Sequence, residues 1–129
     1  MSNAKILIVD DNPKFLQELQ ETLESYGFQV ICVQEGTSVS AVACEERPNL
    51  ILLDLKMAEL SGLQIADDLA HLPATHSIPV IMMSAFLTEE NLEESMKIDE
   101  IKACLKKPFK VEELIFEIEK VLECGYNRT

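Results

Sequence analysis

Five short apolar segments alternate with segments of helical periodicity, and this alternation most constrains the fold. The apolar segments occupy residues 5–10, 28–33, 49–54, 79–84 and 102–106, of which the last is the weakest. Three of them are almost continuously apolar, which is typical of strands buried on both faces of a parallel sheet. The pattern therefore favours a sheet with helices packed on both of its faces.

Two of the intervening segments have clear helical stripes. The first begins at Asn12-Pro13, a good start signal with proline at the first helical position, and ends at Gly27. Its apolar stripe comprises Phe15, Leu16, Leu19, Leu23 and Tyr26. The second, near the C-terminus, comprises Val111, Leu114, Ile115, Ile118, Val121 and Leu122. These stripes predict one helix at each end of the chain.

Three weaker helical patterns lie between them, within residues 39–43, 63–70 and 88–97. The last offers only Leu92 and Met96 as inward-facing side chains, among four glutamates. The full order is then β-α repeated five times, which predicts an α/β fold: a single (βα)5 flavodoxin-like domain with the parallel strand order 2-1-3-4-5. We assign residues 1–129 to this one domain, with a core over 5–122 and a polar tail over 123–129.

The charge balance narrows the classes of partner. The 129 residues include 23 acidic and 11 basic side chains, giving a net charge of −12. Such a surface repels nucleic-acid phosphates and anionic lipid but attracts divalent cations. No apolar run approaches the roughly 18 residues of a membrane span, and no signal-type segment begins the chain, so we expect a cytoplasmic protein. The four cysteines form no C-x-x-C pair, which gives little support to a zinc site.

Polar side chains follow the predicted strands where each strand ends. Asp10 and Asp11 end the first strand, Asp54 the third and Ser84 the fourth, while Lys107 follows the fifth. Any one of them alone would be an ordinary loop or capping residue. Because the carboxyl ends of parallel strands meet at one edge of the sheet, we expect all five to converge there.

The chemistry of this set is specific. Three crowded carboxylates repel one another, and a hard divalent cation such as Mg²⁺ relieves that repulsion. A carboxylate can also accept a phosphoryl group, while a lysine and a metal neutralise the transferred charge. A neighbouring hydroxyl can donate a hydrogen bond to the arriving phosphoryl oxygen.

The sequence resembles the receiver domain of two-component response regulators from about Lys5 to Leu122. The resemblance is carried by Ile8-Val9-Asp10-Asp11-Asn12, Leu52-Leu53-Asp54-Leu55-Lys56-Met57, Leu60-Ser61-Gly62, Ile78-Pro79-Val80-Ile81, Ser84-Ala85 and Lys107-Pro108-Phe109. Each motif alone is weak, but their order and spacing together are specific.

The resemblance implies a metal site. Asp11 corresponds to the direct ligand of Mg²⁺, which Mn²⁺ can replace, and Asp10 to a companion that often acts through water. Asp54 and the backbone carbonyl of Lys56 complete the implied ligand set.

The resemblance also implies a phosphoryl-transfer site. Asp54 corresponds to the phosphoacceptor, Ser84 to the switch hydroxyl and Lys107 to the lysine that pairs with the phosphoryl group. The Lys107–Pro108 peptide corresponds to one that is cis in the family.

A signalling function follows from the resemblance. The implied donor is a sensor histidine kinase or a phosphotransfer protein, and the implied output is a change in protein–protein interactions. The family uses the face formed by the fourth helix, fifth strand and fifth helix to bind a downstream protein or to form a homodimer. We expect no direct contact with nucleic acid or membrane, and no enzyme activity beyond phosphorylation and dephosphorylation of the chain itself.

Three departures from the family pattern leave alternatives open. Ala58 replaces a proline, Glu100-Ile101 replaces a Gly-Ala pair, and Cys104 replaces the aromatic residue that responds to phosphorylation. A phosphorylation-independent pseudo-receiver, acting in interaction or dimerisation, is therefore the second hypothesis. An aspartate-dependent phosphatase is the third, but Lys56 occupies the position where such enzymes carry a second acid.

Two side chains near the predicted site allow two interpretations each. Lys56 is either a solvated side chain or a shield that keeps water from a phosphorylated Asp54. Phe86, two residues after Ser84, is either a local packing residue or a gate.

Overall fold

A five-stranded parallel sheet forms the centre of the molecule. The computed structural model describes residues 4–57 and 60–127, with side chains up to residue 123. The elements are β1 (Lys5–Val9), α1 (Pro13–Ser25), β2 (Gln29–Val33), a 3₁₀ turn (Gly36–Ser38), α2 (Val39–Glu46), β3 (Leu50–Asp54), α3 (Gly62–Ala70), β4 (Val80–Ser84), α4 (Glu89–Met96), β5 (Ile101–Lys106) and α5 (Val111–Asn127). The strand order β2-β1-β3-β4-β5 confirms the predicted fold class.

The two faces of the sheet bury separate apolar clusters. On β1, Ile6 and Ile8 pack with α1 and α5, while Leu7 and Val9 pack with α2 and α3. Alternate residues of one strand thus enter opposite clusters, which explains why the central strands are continuously apolar. This double burial holds β1 and β3 rigidly side by side, with their carboxyl ends at one edge.

The ends of α1 follow the sequence signals. The Asn12 side chain accepts hydrogen bonds from the backbone N–H groups of Lys14 and Phe15. Gly27 follows the helix with a φ of 97°, a conformation that only glycine adopts without strain. Tyr26, predicted to lie on the buried stripe, is instead 45% exposed because the helix ends at Ser25, before its period reaches that residue.

The prediction that Leu92 and Met96 form the inward face of α4 is wrong. Leu92 and Met96 are exposed, whereas Ser95 is completely buried. This helix packs against β5 at the edge of the sheet, and its small Ser95 side chain faces the half-buried Cys104 thiol. The short side chains of this pair let α4 lie against the edge strand, so its two largest apolar side chains remain at the surface.

The turn before β5 forms without the glycine that is usual there. The Ile101 N–H donates to the Ile98 carbonyl at 3.0 Å, and Ile101 begins the strand with its side chain buried. A bulge follows, since Val80 pairs with Ile101 but Ile81 pairs with Ala103. Glu100 also joins the sheet, because its carbonyl accepts the Val80 N–H at 2.7 Å.

The C-terminal helix is longer than the predicted core. It continues past Leu122 to Asn127, into the segment predicted as a polar tail. Within the described residues, no helix is long and apolar enough to cross a membrane. Ala58, whose effect on its loop was predicted from sequence, lies outside the described residues.

Candidate functional site

Three aspartates converge at the carboxyl edge of the sheet, as the sequence predicts. Asp10 and Asp11 follow β1, and Asp54 ends the neighbouring strand β3. A carboxylate oxygen of each lies within 4.8 Å of the others. Asp10 and Asp54 are buried, whereas Asp11 is exposed at the mouth of the site. The site is therefore reached from solvent on the Asp11 side.

Lys107 is the cation of this cluster. Its Nζ lies 2.5 Å from Asp10 Oδ2 and 3.8 Å from Asp54 Oδ1. Its backbone N–H donates to the Ser84 carbonyl at 2.8 Å, which aligns the end of β5 with the end of β4. The Lys107–Pro108 peptide is cis, in agreement with the sequence prediction. In this structure the ammonium group thus pairs more closely with Asp10 than with Asp54.

Ser84 ends β4 and is buried beside the cluster. Its Oγ accepts a hydrogen bond from the Phe86 N–H at 2.9 Å. The Phe86 carbonyl in turn accepts from the Asn91 side-chain amide at 3.1 Å, in the first turn of α4. A short hydrogen-bonded path therefore joins the site to α4.

Burial and like charges raise the pKa of Asp54 to about 6. Loss of hydration contributes most, and the nearby Asp10 carboxylate adds repulsion. Lys107 and the Lys56 N–H, which donates to Asp54 Oδ1 at 3.4 Å, act in the opposite direction. When all three carboxylates are ionised, the single positive charge of Lys107 does not balance their negative charge.

The donor set fits a hard divalent cation. Carboxylate oxygens are the ligands that Mg²⁺ prefers, and a site with one exposed carboxylate leaves room for the waters that Mg²⁺ retains. The same cation would relieve the repulsion that raises the Asp54 pKa. Lys56 lies two residues after the end of β3, and the role of its carbonyl stays a prediction.

Two residues support the site in ways that sequence reasoning missed. Phe15, predicted as a core residue of α1, has its ring centre 4.2 Å from Lys107 Nζ. Gly62, at the start of α3, lies against the end of β3, and its N–H donates to the Leu55 carbonyl at 2.6 Å. No sequence pattern predicts the contact between Phe15 and Lys107. The close approach of Gly62 to β3 explains why the motif Leu60-Ser61-Gly62 contains a glycine.

The two ambiguous side chains contact each other. Lys56 Nζ lies 5.2 Å from the centre of the Phe86 ring, which is otherwise 66% exposed. Phe86 is therefore poorly explained as a local packing residue. The contact joins the loop after β3 to the loop after β4, on either side of Asp54.

Comparison with known proteins assigns the family. A family model described as the response regulator receiver domain matches residues 6–119. The chain belongs to this family. The receiver domain is 31% identical over 117 residues to the polar-differentiation response regulator DivK of Brucella anthropi, covering 91% of the chain and 94% of that protein. It is also 38% identical over 81 residues to protein PilH of Pseudomonas aeruginosa, covering 63% and 67% respectively.

Solved structures agree with this assignment. The crystal structure of a CheY-like receiver domain protein from Methanospirillum hungatei matches the receiver domain with a TM-score of 0.92 and 25% identity. The match covers 99% of this chain and all of the other. It supports the (βα)5 architecture over the whole described length.

Proposed function

We propose that this receiver domain accepts a phosphoryl group on Asp54 from a histidine kinase or a phosphotransfer protein. One observation carries the proposal: a buried carboxylate of raised pKa lies beside two further aspartates and the Lys107 ammonium group. Such a group is a nucleophile surrounded by the charges that phosphoryl transfer needs. The outcome is an altered set of protein–protein contacts rather than a chemical product.

The transfer is a single displacement at phosphorus. An Asp54 carboxylate oxygen attacks the phosphorus atom, the P–N bond of the donor phosphohistidine breaks, and its electron pair leaves with the imidazole. Asp10, Asp11, Asp54 and the Lys56 carbonyl would hold Mg²⁺, which would supply positive charge against the transferred oxygens when it is bound. Lys107, 3.8 Å from Asp54 Oδ1, would neutralise a phosphoryl oxygen on Asp54.

Ser84 couples the reaction to the fold. The Ser84 hydroxyl would donate its own hydrogen to a phosphoryl oxygen, and a rotation of Oγ toward Asp54 would carry it away from the Phe86 N–H from which it now accepts. The loop from Ser84 to Asn91 would then lose the hydrogen bond at the Phe86 N–H. Because the Phe86 carbonyl accepts from the Asn91 side chain, the first turn of α4 would move with the loop. Phosphorylation would thereby shift a two-state equilibrium of this face of the molecule.

Intact-mass spectrometry tests the proposal. After incubation with Mg²⁺ and a small acyl phosphate, we expect the wild type to gain the mass of one phosphoryl group and Asp54→Asn to gain none. A wild type that gains nothing would support a pseudo-receiver instead. We propose no turnover of a separate substrate, so steady hydrolysis of phosphate monoesters would contradict this function.

Magnesium is expected to stabilise the folded protein. The cation binds only the folded arrangement of the three carboxylates, so its binding free energy adds to stability. Millimolar Mg²⁺ should raise the melting temperature of the wild type, and Asp11→Ala should remove most of that increase. Asp99→Ala, which removes an exposed acid outside the cluster, should respond as the wild type does. Equal responses of all three proteins would contradict a specific metal site.

Cys104 is expected to weaken the conformational response. The small thiol facing Ser95 cannot swing inward as a ring would, so the response of α4 depends on the Ser84–Phe86–Asn91 path. An allosteric coupling is typically about 1–3 kcal/mol, and loss of one bistable element places this protein at the low end.

Amide chemical shifts with beryllofluoride and Mg²⁺ measure this response. We expect large changes at the site but modest, fast-exchanging changes over residues 92–114, and larger ones in Cys104→Tyr. Large slow-exchange changes across that segment in the wild type, or no gain from the tyrosine, would refute the expectation.

A further inference from the structure

The Phe15 ring lies against the ammonium group of Lys107, the lysine of the site. Its ring centre lies 4.2 Å from Lys107 Nζ, within the range of a cation–π interaction. Lys107 Nζ therefore contacts the Asp10 carboxylate most closely, Asp54 Oδ1 at 3.8 Å and the face of the Phe15 ring. We propose that Phe15 is a positioning residue that keeps the ammonium group in the site as it moves from Asp10 to the phosphorylated Asp54.

The ring is held firmly enough to act in this way. The Phe15 N–H is bound by the Asn12 side chain at 3.2 Å, in the first turn of α1. Phe109 packs edge-on against the ring, with 6.3 Å between centres and 82° between planes. Phe109 follows Lys107 by two residues, so the segment that carries the lysine also fixes the ring beneath it.

The movement of Lys107 is a consequence of the proposed function, on which this inference rests. In the structure the ammonium group is bound to Asp10, a carboxylate that the implied cation also needs. Once Asp10 faces the cation, Lys107 must leave it and meet a phosphoryl oxygen on Asp54. The side chain is only 18% exposed, so water offers the ammonium group little compensation along this path.

An aromatic face suits this task better than another acid. The ring attracts a cation through its quadrupole but offers no oxygen ligand, so it does not compete for the metal. The attraction acts whenever the cation lies over the ring face within about 6 Å of its centre, whereas a hydrogen bond to a carboxylate is more directional. A leucine at position 15 would occupy similar space without attracting the ammonium group.

Nuclear magnetic resonance of the metal-free protein tests the contact directly. The Hε and Hζ protons of Lys107 should be shifted upfield by the ring current of Phe15 in the wild type. Phe15→Leu should abolish this shift, and Phe15→Tyr should retain it. Phe116→Leu is a matched control, because that ring is exposed on the surface of α5 and lies 6.0 Å from a different lysine, Lys120. Unshifted Lys107 protons in the wild type would overturn the proposal.

Phosphorylation kinetics test the consequence. With Mg²⁺ and saturating acyl phosphate, we expect Phe15→Leu to be phosphorylated about three- to tenfold more slowly than the wild type. Phe15→Tyr should restore most of the rate, and Phe116→Leu should leave it unchanged. The melting temperatures of these variants should not follow the order of their phosphorylation rates, because Phe15 is proposed to affect the rate by positioning Lys107 and not by stabilising the fold.

The two proposals fail in different ways. If the wild type is phosphorylated and Phe15→Leu reacts at the same rate, the role of Phe15 is wrong and the proposed function stands. If the wild type gains no phosphoryl group, the proposed function fails and the role of Phe15 fails with it. A slow Phe15→Leu that tyrosine does not rescue would assign the ring to packing only, and would also overturn this inference.

Discussion

Asp54→Asn is expected to raise the free energy of unfolding of the metal-free protein by about 3 kcal/mol at pH 8, at roughly 1.4 kcal/mol per pKa unit. In the folded protein the pKa of Asp54 is raised from 3.8 to about 6 by burial and by the Asp10 carboxylate. At pH 8 the wild type therefore carries an ionised group that folding disfavours. Asparagine keeps the shape of the side chain and removes that charge.

The pH dependence follows from the direction of this shift. Below the unfolded pKa of 3.8 both states of Asp54 are protonated, so the folded protein bears no penalty. As the pH rises from about 4 to about 6, the unfolded chain loses its proton first and wild-type stability falls. The advantage of Asp54→Asn should accordingly grow over this window and be constant above it.

Denaturant unfolding in the presence of a chelator, repeated from pH 4 to pH 8, measures this difference. Asp99→Asn, at an exposed position, controls for a general effect of net charge. Saturating Mg²⁺ should reduce the difference at pH 8, because the complete set of three carboxylates is present only in the wild type. An asparagine variant that is less stable than the wild type at pH 8 would contradict the strain assigned to the three carboxylates.

Gly62→Ala is expected to destabilise the protein by about 2–3 kcal/mol, as overpacking against a fixed surface does. A Cβ at this position would lie 2.8 Å from Leu55 Cα and closer still to the Asp54 carbonyl oxygen. Both atoms belong to the backbone at the end of β3, which cannot move without shifting the Asp54 side chain. The substitution should therefore also slow phosphorylation of Asp54.

Gly36→Ala provides the matched control. Its Cβ would meet the Ile65 Cδ1 atom at 3.1 Å, and that atom is the flexible end of a side chain. We expect a loss well below 1 kcal/mol there, with an unchanged rate of phosphorylation. Equal effects of the two alanines on stability and rate would show that the approach of Gly62 to β3 does not position the acceptor.

The sequence was sufficient to predict which residues meet at the site. Parallel strands place their carboxyl ends at one edge, so residues at or just after the ends of β1, β3, β4 and β5 had to converge once the strand order was inferred. That reasoning placed Asp10, Asp54 and Lys107 together without any knowledge of distances. It could not indicate that Lys107 would pair with Asp10, because that choice depends on a few ångströms of side-chain position.

The apolar periodicity did not predict the buried face of α4, because this helix packs against the sheet through a small side chain. Leu92 and Met96 are four residues apart and appeared to mark the buried face of α4, yet the structure buries Ser95. The same limit hid the role of Phe15, since an aromatic residue on an apolar stripe is predicted as core whether or not a cation lies over it. Contacts between elements distant in sequence decide both cases.

Chemical mapping of the phosphorylated residue tests the central claim most directly. Borohydride reduces an aspartyl phosphate to homoserine, which marks the acceptor permanently. After treatment with acyl phosphate and Mg²⁺, the peptide that contains residue 54 should carry homoserine in place of aspartate, and no other peptide should change. Homoserine at Asp10 or Asp11, or its absence from a protein that has gained the phosphoryl mass, would contradict the assignment of Asp54 as the phosphoacceptor.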